Sequence, residues 1–205
     1  MRLAGPMLEI STETLQDRRP AIVICTCEVG GRDWDLTEDL SGQLWNPSGA
    51  RTIAVPASKP ADLLETLAEQ LADTDCRGLL LVGRNRRSSL FRVQIRAENK
   101  GLEPEILPLR QSPSIARATA PAAGMVQALN DIGLHADATS EGEEDVGSYL
   151  LYRILCSLPD GIDVPSVGLL RVPEDIDANA ADKGVKAAAE AIARHLSPLP
   201  RARYG

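Results

Sequence analysis

The side chains best suited to covalent or acid–base chemistry are four cysteines, Cys25, Cys27, Cys76 and Cys156, and two histidines, His135 and His195. Cys25-Thr26-Cys27 is a C-x-C with no second pair near it. Zinc sites usually combine two such clusters, so these residues read as small side chains near the end of a buried strand. The cysteines are scattered through a chain long enough not to need staples, and read as reduced thiols. His135 stands at a strand start. His195 stands near the end of the last helix, where a cation suits the macrodipole. Both read as structural. Charge is concentrated in two places: Arg84, Arg86, Arg87, Arg92 and Arg96 lie within 13 residues, and Glu141, Glu143, Glu144 and Asp145 crowd one turn. The acids suit a helix start, with Ser140 and Glu143 fitting a capping box. The arginines read as a solvated loop, an anion site or a partner surface. One aromatic residue, Phe91, stands among them, too few to make a base-stacking surface.

The chain has 205 residues, a formal charge of −7 and 43% apolar residues, with six aromatics. One domain over residues 1–205 is expected, with 1–19 a lead-in and 197–205 a tail. The core must come from Leu, Ile, Val and Ala. The acidic balance argues against nucleic acid, and the apolar runs are too short to span a bilayer. The first residues lack a secretory h-region, so a cytoplasmic location is expected.

Ala21 to Cys25, Thr52 to Val55, Leu79 to Val82, Phe91 to Arg96, Leu134 to Thr139 and Val167 to Val172 read as strands. Phe91 to Arg96 alternates apolar with polar and is expected to be half exposed. Pro60 opens a helix carrying Leu63, Leu64, Leu67 and Leu71. Further helices are expected over 121–131, 146–158 and 185–196. Residues 30–50 read as loop or short helix, and 97–120 as a long loop of the lid or binding type. The alternation predicts an α/β fold: three layers, α/β/α, around a mainly parallel central sheet. There is no P-loop, G-x-S-x-G, H-E-x-x-H or G-x-G-x-x-G after the first strand.

Five segments, in order, resemble the pyroglutamyl peptidase I (pyrrolidone-carboxylate peptidase) family. Ile24-Cys25-Thr26-Cys27-Glu28-Val29-Gly30-Gly31 is similar to its first-strand motif, and Ala54-Val55-Pro56 to its Leu-Pro-Val. Leu81-Val82-Gly83 followed by Phe91-Arg92-Val93-Gln94-Ile95-Arg96 resembles its Val-Gly and then Glu-Arg-Val-Ala-Ile-Asn. Gly133 to Ser140 and then Val146-Gly147-Ser148-Tyr149-Leu150-Leu151-Tyr152 resembles the segment holding its nucleophile. Leu169-Leu170-Arg171-Val172-Pro173 resembles its Phe-Ile-His-Val-Pro. The resemblance implies a cysteine-peptidase fold releasing N-terminal pyroglutamate, over residues 20–196.

Carried over residue by residue, it implies that the catalytic machinery is gone. The nucleophilic cysteine falls on Leu151, the general-base histidine on Arg171 and its acidic partner on Phe91. Leu has no nucleophilic atom, Arg stays protonated and Phe cannot orient an imidazole. Cys156 is no substitute: it lies about 140° round the helix from Leu151 and about 7.5 Å further along. The reading is a pyroglutamyl-peptidase-like pseudoenzyme with a binding or assembly role. Its binding residues would be Glu28, Arg86, Arg87, Asp145 and Arg171, with no metal and no cofactor. The partners left open are an unidentified protein, a small anionic or peptide ligand, or a homo-oligomer, without membrane or nucleic acid. The alternatives are a hydrolase with a relocated, non-cysteine site using Glu28, Asp137 or Ser140, and a plain structural subunit. Two expectations concern geometry. Segments 84–96 and 141–145 should face each other across the former cleft. Arg171, always charged on a buried strand, should meet an anion or a carboxylate from Glu28, Glu144 or Asp145.

Overall fold

The computed structural model describes residues 17, 19–28, 45–102, 108–159, 161 and 163–196. Most of the lead-in, most of the 30–50 loop and the 197–205 tail therefore lie outside the described residues. Among the described residues there are eight strands: β1 (Ala21–Thr26), β2 (Arg51–Val55), β3 (Cys76–Asn85), β4 (Phe91–Gln94), β5 (Arg96–Glu98), β6 (Ile115–Arg117), β7 (Ala136–Thr139) and β8 (Ser166–Pro173). The described residues also form four helices: α1 (Pro60–Ala72), α2 (Ala122–Asp131), α3 (Val146–Ser157) and α4 (Ala178–Ala193).

Six strands form one sheet in the order β2-β1-β3-β8-β4-β7. All its pairings are parallel except β4 with β8, so the sheet is mainly parallel, as the alternation of elements predicts. Parity along the strands sorts the core into two layers. Ile22, Ile24, Leu80, Val82, Leu170 and Val172 pack with α2 and α4. Val23, Cys25, Leu79, Leu81 and Leu169 pack with α1 and α3. Both faces are covered, which is why β1 reads as an unbroken apolar run.

The helices follow from local chemistry. Pro60 takes the first turn of α1, where its missing N–H costs nothing, and Leu63 and Leu67 are buried one turn apart. The α4 helix starts seven residues earlier than 185, because Asp177 caps it by accepting from the Ala180 amide at 2.9 Å. Its buried face is mostly small: Ala181, Gly184, Ala188, Ala189 and Ala191. This lets α4 approach β4 closely, and a Cβ at Gly184 would lie 2.5 Å from Phe91 Cε1.

Three expectations change. The 91–96 strand breaks at Ile95, and Arg96–Glu98 instead pairs with Ile115–Arg117 as a separate antiparallel ribbon. That ribbon occupies part of the stretch read as structureless loop. Three-residue strands carry too little pattern to be read from sequence. The strand after α2 begins at Ala136 rather than Leu134. Finally, α3 is capped by Asp145, which accepts from the Ser148 amide at 2.8 Å, so the Ser140/Glu143 capping box does not form. The helix starts at Val146, too far along the chain for Ser140 to reach its free amides.

Candidate functional site: a closed ion-pair cluster

The site lies where the C-terminal ends of β1, β3 and β8 meet the start of α3. Arg171 belongs to β8 and shares the parity of Leu169, so its side chain turns to the α3 face. It is 1% exposed. Gly83 on the neighbouring strand lies alongside it: a Cβ there would sit 3.9 Å from Arg171 Nη1, an ordinary packing contact.

A guanidinium has five N–H donors, and here each has an acceptor. Nε donates to Gln94 Oε1 at 3.0 Å. Nη1 donates to Asp145 Oδ2 at 2.6 Å and to the Arg84 carbonyl at 3.1 Å. Nη2 donates to Asp145 Oδ1 at 3.0 Å and to Ser148 Oγ at 2.7 Å. The contact with Asp145 is a bidentate fork, the strongest geometry open to this pair. Ser148 Oγ in turn donates to Gln94 Oε1 at 3.3 Å, closing a ring of polar groups. Glu143 adds a second carboxylate 3.9 Å from Nη1. The expected carboxylate partner of Arg171 is thus Asp145. Glu144 instead points outward, 80% exposed, near Lys100. Glu28 pairs with Arg86 at 2.9 Å.

Asp145 does two jobs at once, capping α3 and neutralising Arg171. Its Oδ1 accepts from both the Ser148 amide and Arg171. The cap and the guanidinium therefore hold the same carboxylate from two sides.

The three positions matched to a catalytic triad do not converge. Leu151 is fully buried one turn beyond Ser148, inside the α3-side core. Phe91 is on the other face of the sheet, in the core layer with α2 and α4. Only Arg171 occupies the polar cluster. Segments 84–96 and 141–145 are bridged by Arg171, which donates to the Arg84 carbonyl and Gln94 on one side and to Asp145 on the other, and Arg96 Nε donates to the Ser140 carbonyl at 2.9 Å. Three of the arginine side chains pair with other carboxylates: Arg86 with Glu28, Arg92 with Asp137 and Arg96 with Glu98. Arg87 is exposed. The acidic turn is met by Arg171 and Lys100 instead.

The thiols near the site are unsuited to attack. Cys25 and Cys27 are buried. A hydrogen bond with Cys25, burial and the Asp145 charge hold the Cys27 thiol well above its ordinary value, favouring the protonated form. Glu28 is raised too, chiefly by burial and further by Asp145, against the pull of Arg86, Arg171 and Arg84. Glu28, Asp137 and Ser140 are not assembled into one centre. β1 and β7 are four strand spacings apart in the sheet, about 19 Å.

Gln94 and Ser148 were not singled out by the sequence reading. Alternation assigned Gln94 to a solvent face, yet it is fully buried. The usable signal was Arg171 itself: a fixed charge inside an apolar strand requires polar groups on the strand and helix beside it.

No protein-family model matches the chain, and no curated protein sequence matches it. Solved structures do. Pyroglutamyl peptidase I from Bacillus amyloliquefaciens superposes with a TM-score of 0.71 at 16% identity, covering 86% of this chain and 98% of that one. A mutant pyrrolidone carboxyl peptidase from Pyrococcus furiosus gives 0.71 at 17%, over 87% and 100%. The Thermus thermophilus pyrrolidone carboxyl peptidase gives 0.67 at 16%, over 83% and 98%. Among the described residues, no helix is long and apolar enough to cross a membrane. The arrangement of strands and helices is thus that of the pyroglutamyl peptidase I fold.

Proposed function

We propose that this chain is a pyroglutamyl-peptidase-like protein that does not hydrolyse pyroglutamyl peptides and acts by binding. One observation carries the reading: all five donors of Arg171 are taken by Asp145, Ser148, Gln94 and the Arg84 carbonyl. A group so saturated offers nothing to a substrate carbonyl, and it cannot accept a proton. The same bonds immobilise Ser148, the nearest hydroxyl, between an arginine and a glutamine, neither of which is a base. The former cleft has become an ion pair.

Binding would then fall to the rim. Glu28 pairs with Arg86, and Arg86 and Arg87 are exposed, whereas Arg171 and Asp145 hold their positions. A partner with charges of both signs, such as a peptide segment of another protein, fits this rim better than a neutral ligand.

The test is hydrolysis of pyroglutamyl-aminomethylcoumarin by the purified chain, with no release above a buffer blank expected. Turnover that survives purification and disappears in Ser148→Ala would overturn the proposal. For the rim, affinity capture with wild type and with an Arg86→Glu/Arg87→Glu variant should differ in the proteins retained.

A further inference from the structure

The opposite end of the sheet holds an arginine in the reverse condition. Arg77 is the second residue of β3, and its Nε is buried with no hydrogen-bond partner. Its Nη1 stands 3.9 Å from Asp163 Oδ1, beyond hydrogen-bond reach, and the Asp163 side chain is 73% exposed. Ser166 begins β8 beside it, and its Oγ is also buried and unpartnered. Arg77 and Ser166 line a cavity of about 260 Å³ together with Pro121, Asp163 and His195.

The other groups around this cavity suit an anion. Pro121 is the N-cap of α2, which has no side-chain cap and no acidic residue in its first turn, so the positive end of the helix is not neutralised locally. His195 Nδ1 lies 2.8 Å from the Ala191 carbonyl. Facing a carbonyl, that nitrogen must carry the proton and donate, which leaves Nε2 as the ring atom free for a ligand. A neutral Nε2 accepts a proton-bearing oxygen, and a charged one donates to a bare oxygen.

We propose that this cavity binds a small phosphate oxyanion, either inorganic phosphate or the head of a phosphomonoester. The planar fork of Arg77 matches two phosphate oxygens. Ser166 Oγ donates to a third. Hydrogen phosphate carries both bare and protonated oxygens, so it satisfies His195 in either of its states. Sulfate has no proton to offer a neutral Nε2. Among the described residues lining the cavity, the opposing group is the Asp163 carboxylate, which is exposed and not hydrogen-bonded to Arg77, so it can turn away as the ligand enters.

The experiment is calorimetric titration of the full chain with sodium phosphate, phenyl phosphate and sodium sulfate at constant ionic strength. Saturable one-site binding of phosphate or phenyl phosphate, with sulfate weaker, is expected. Whichever phosphate binds tighter identifies the source. Arg77→Gln should weaken binding by about tenfold or more, the usual scale for losing charge-assisted hydrogen bonds. Asp163→Asn should tighten it by about twofold to fivefold, the scale of an exposed charge. Circular dichroism checks the fold of each variant. Should Arg77→Gln fail to fold, Ser166→Ala replaces it, with a smaller loss expected. Absence of saturable phosphate binding, equal binding of sulfate, or undiminished binding by the folded variants would each overturn the proposal.

Discussion

Arg171 and Arg77 lie on adjacent parallel strands, near opposite ends of the sheet and about 20 Å apart along the strand direction. Arg171 is sealed, with every donor matched and a capping carboxylate gripping it in a fork. Arg77 reaches one distant, exposed carboxylate and keeps a buried donor unmatched. The difference separates two uses of a buried cation. Where the chain supplies all the acceptors, the arginine organises structure. Where it supplies too few, the arginine is left able to hold something else. In this fold the first condition holds at the sheet's C-terminal edge, where α/β proteins usually place ligands.

The sharpest way to break the contrast is to remove the carboxylates. Asp145→Ala should cost about 3–5 kcal/mol of unfolding free energy, because it strands a buried charge and removes the cap of α3. Asp163→Ala should change stability by no more than about 0.5 kcal/mol, as its partner is far and its side chain exposed. Urea melts of the two variants give both numbers. Equal effects would mean that the Arg171 cluster is no more integral than a surface pair. A double-mutant cycle on Asp145 and Arg171 should then return a coupling of about 2–3 kcal/mol. The same cycle on Asp163 and Arg77 should return a value near zero.

Leu151→Cys probes the sealed end differently. The change shortens a fully buried side chain and should cost about 1–3 kcal/mol. It should leave the chain without peptidase activity, since Arg171 cannot deprotonate the new thiol. Under native conditions that thiol and the buried Cys25 should both resist a disulfide reagent, while the partly exposed Cys156 should react. Rapid labelling at position 151 would show that the cleft opens, contrary to its burial here.

These effects also mark what the residues could tell in advance. The sheet was legible because its strands are either continuous apolar runs or clean alternations, and α1, α2 and α3 because their leucines or methionine recur at helical spacing. Arg171 advertised a partner, since a permanent charge among Leu169, Leu170 and Val172 cannot stay alone. Three things were hidden. Gln94 looked like a solvent residue because alternation gives parity but not whether the second face is covered. The β5–β6 ribbon is too short to carry a period. The Arg77 cavity joins residues 77, 121, 163, 166 and 195, which only the tertiary fold brings together. The triad positions rest on matched sequence motifs, and a motif does not report that Phe91 faces the other core layer.

The smallest expected effect concerns Glu28, at the margin of the sealed end. Burial raises its pKa above the ordinary 4.5, and the Asp145 charge adds to this, while Arg86 and Arg171 pull the other way without winning. The folded chain therefore holds this proton more tightly than the unfolded chain does. Its contribution is most favourable below the unfolded value and is lost as pH rises through the folded one. Gln resembles the protonated form at all pH values. Glu28→Gln should thus match wild type near pH 4 and become the more stable of the two on approaching neutrality, by no more than about 0.5 kcal/mol given the exposed Arg86 partner. Urea melts between pH 4 and 7 measure the difference. If the variant instead falls below wild type as pH rises, the Arg86 contact outweighs burial. The margin would then be bound into the ion-pair network as firmly as Asp145.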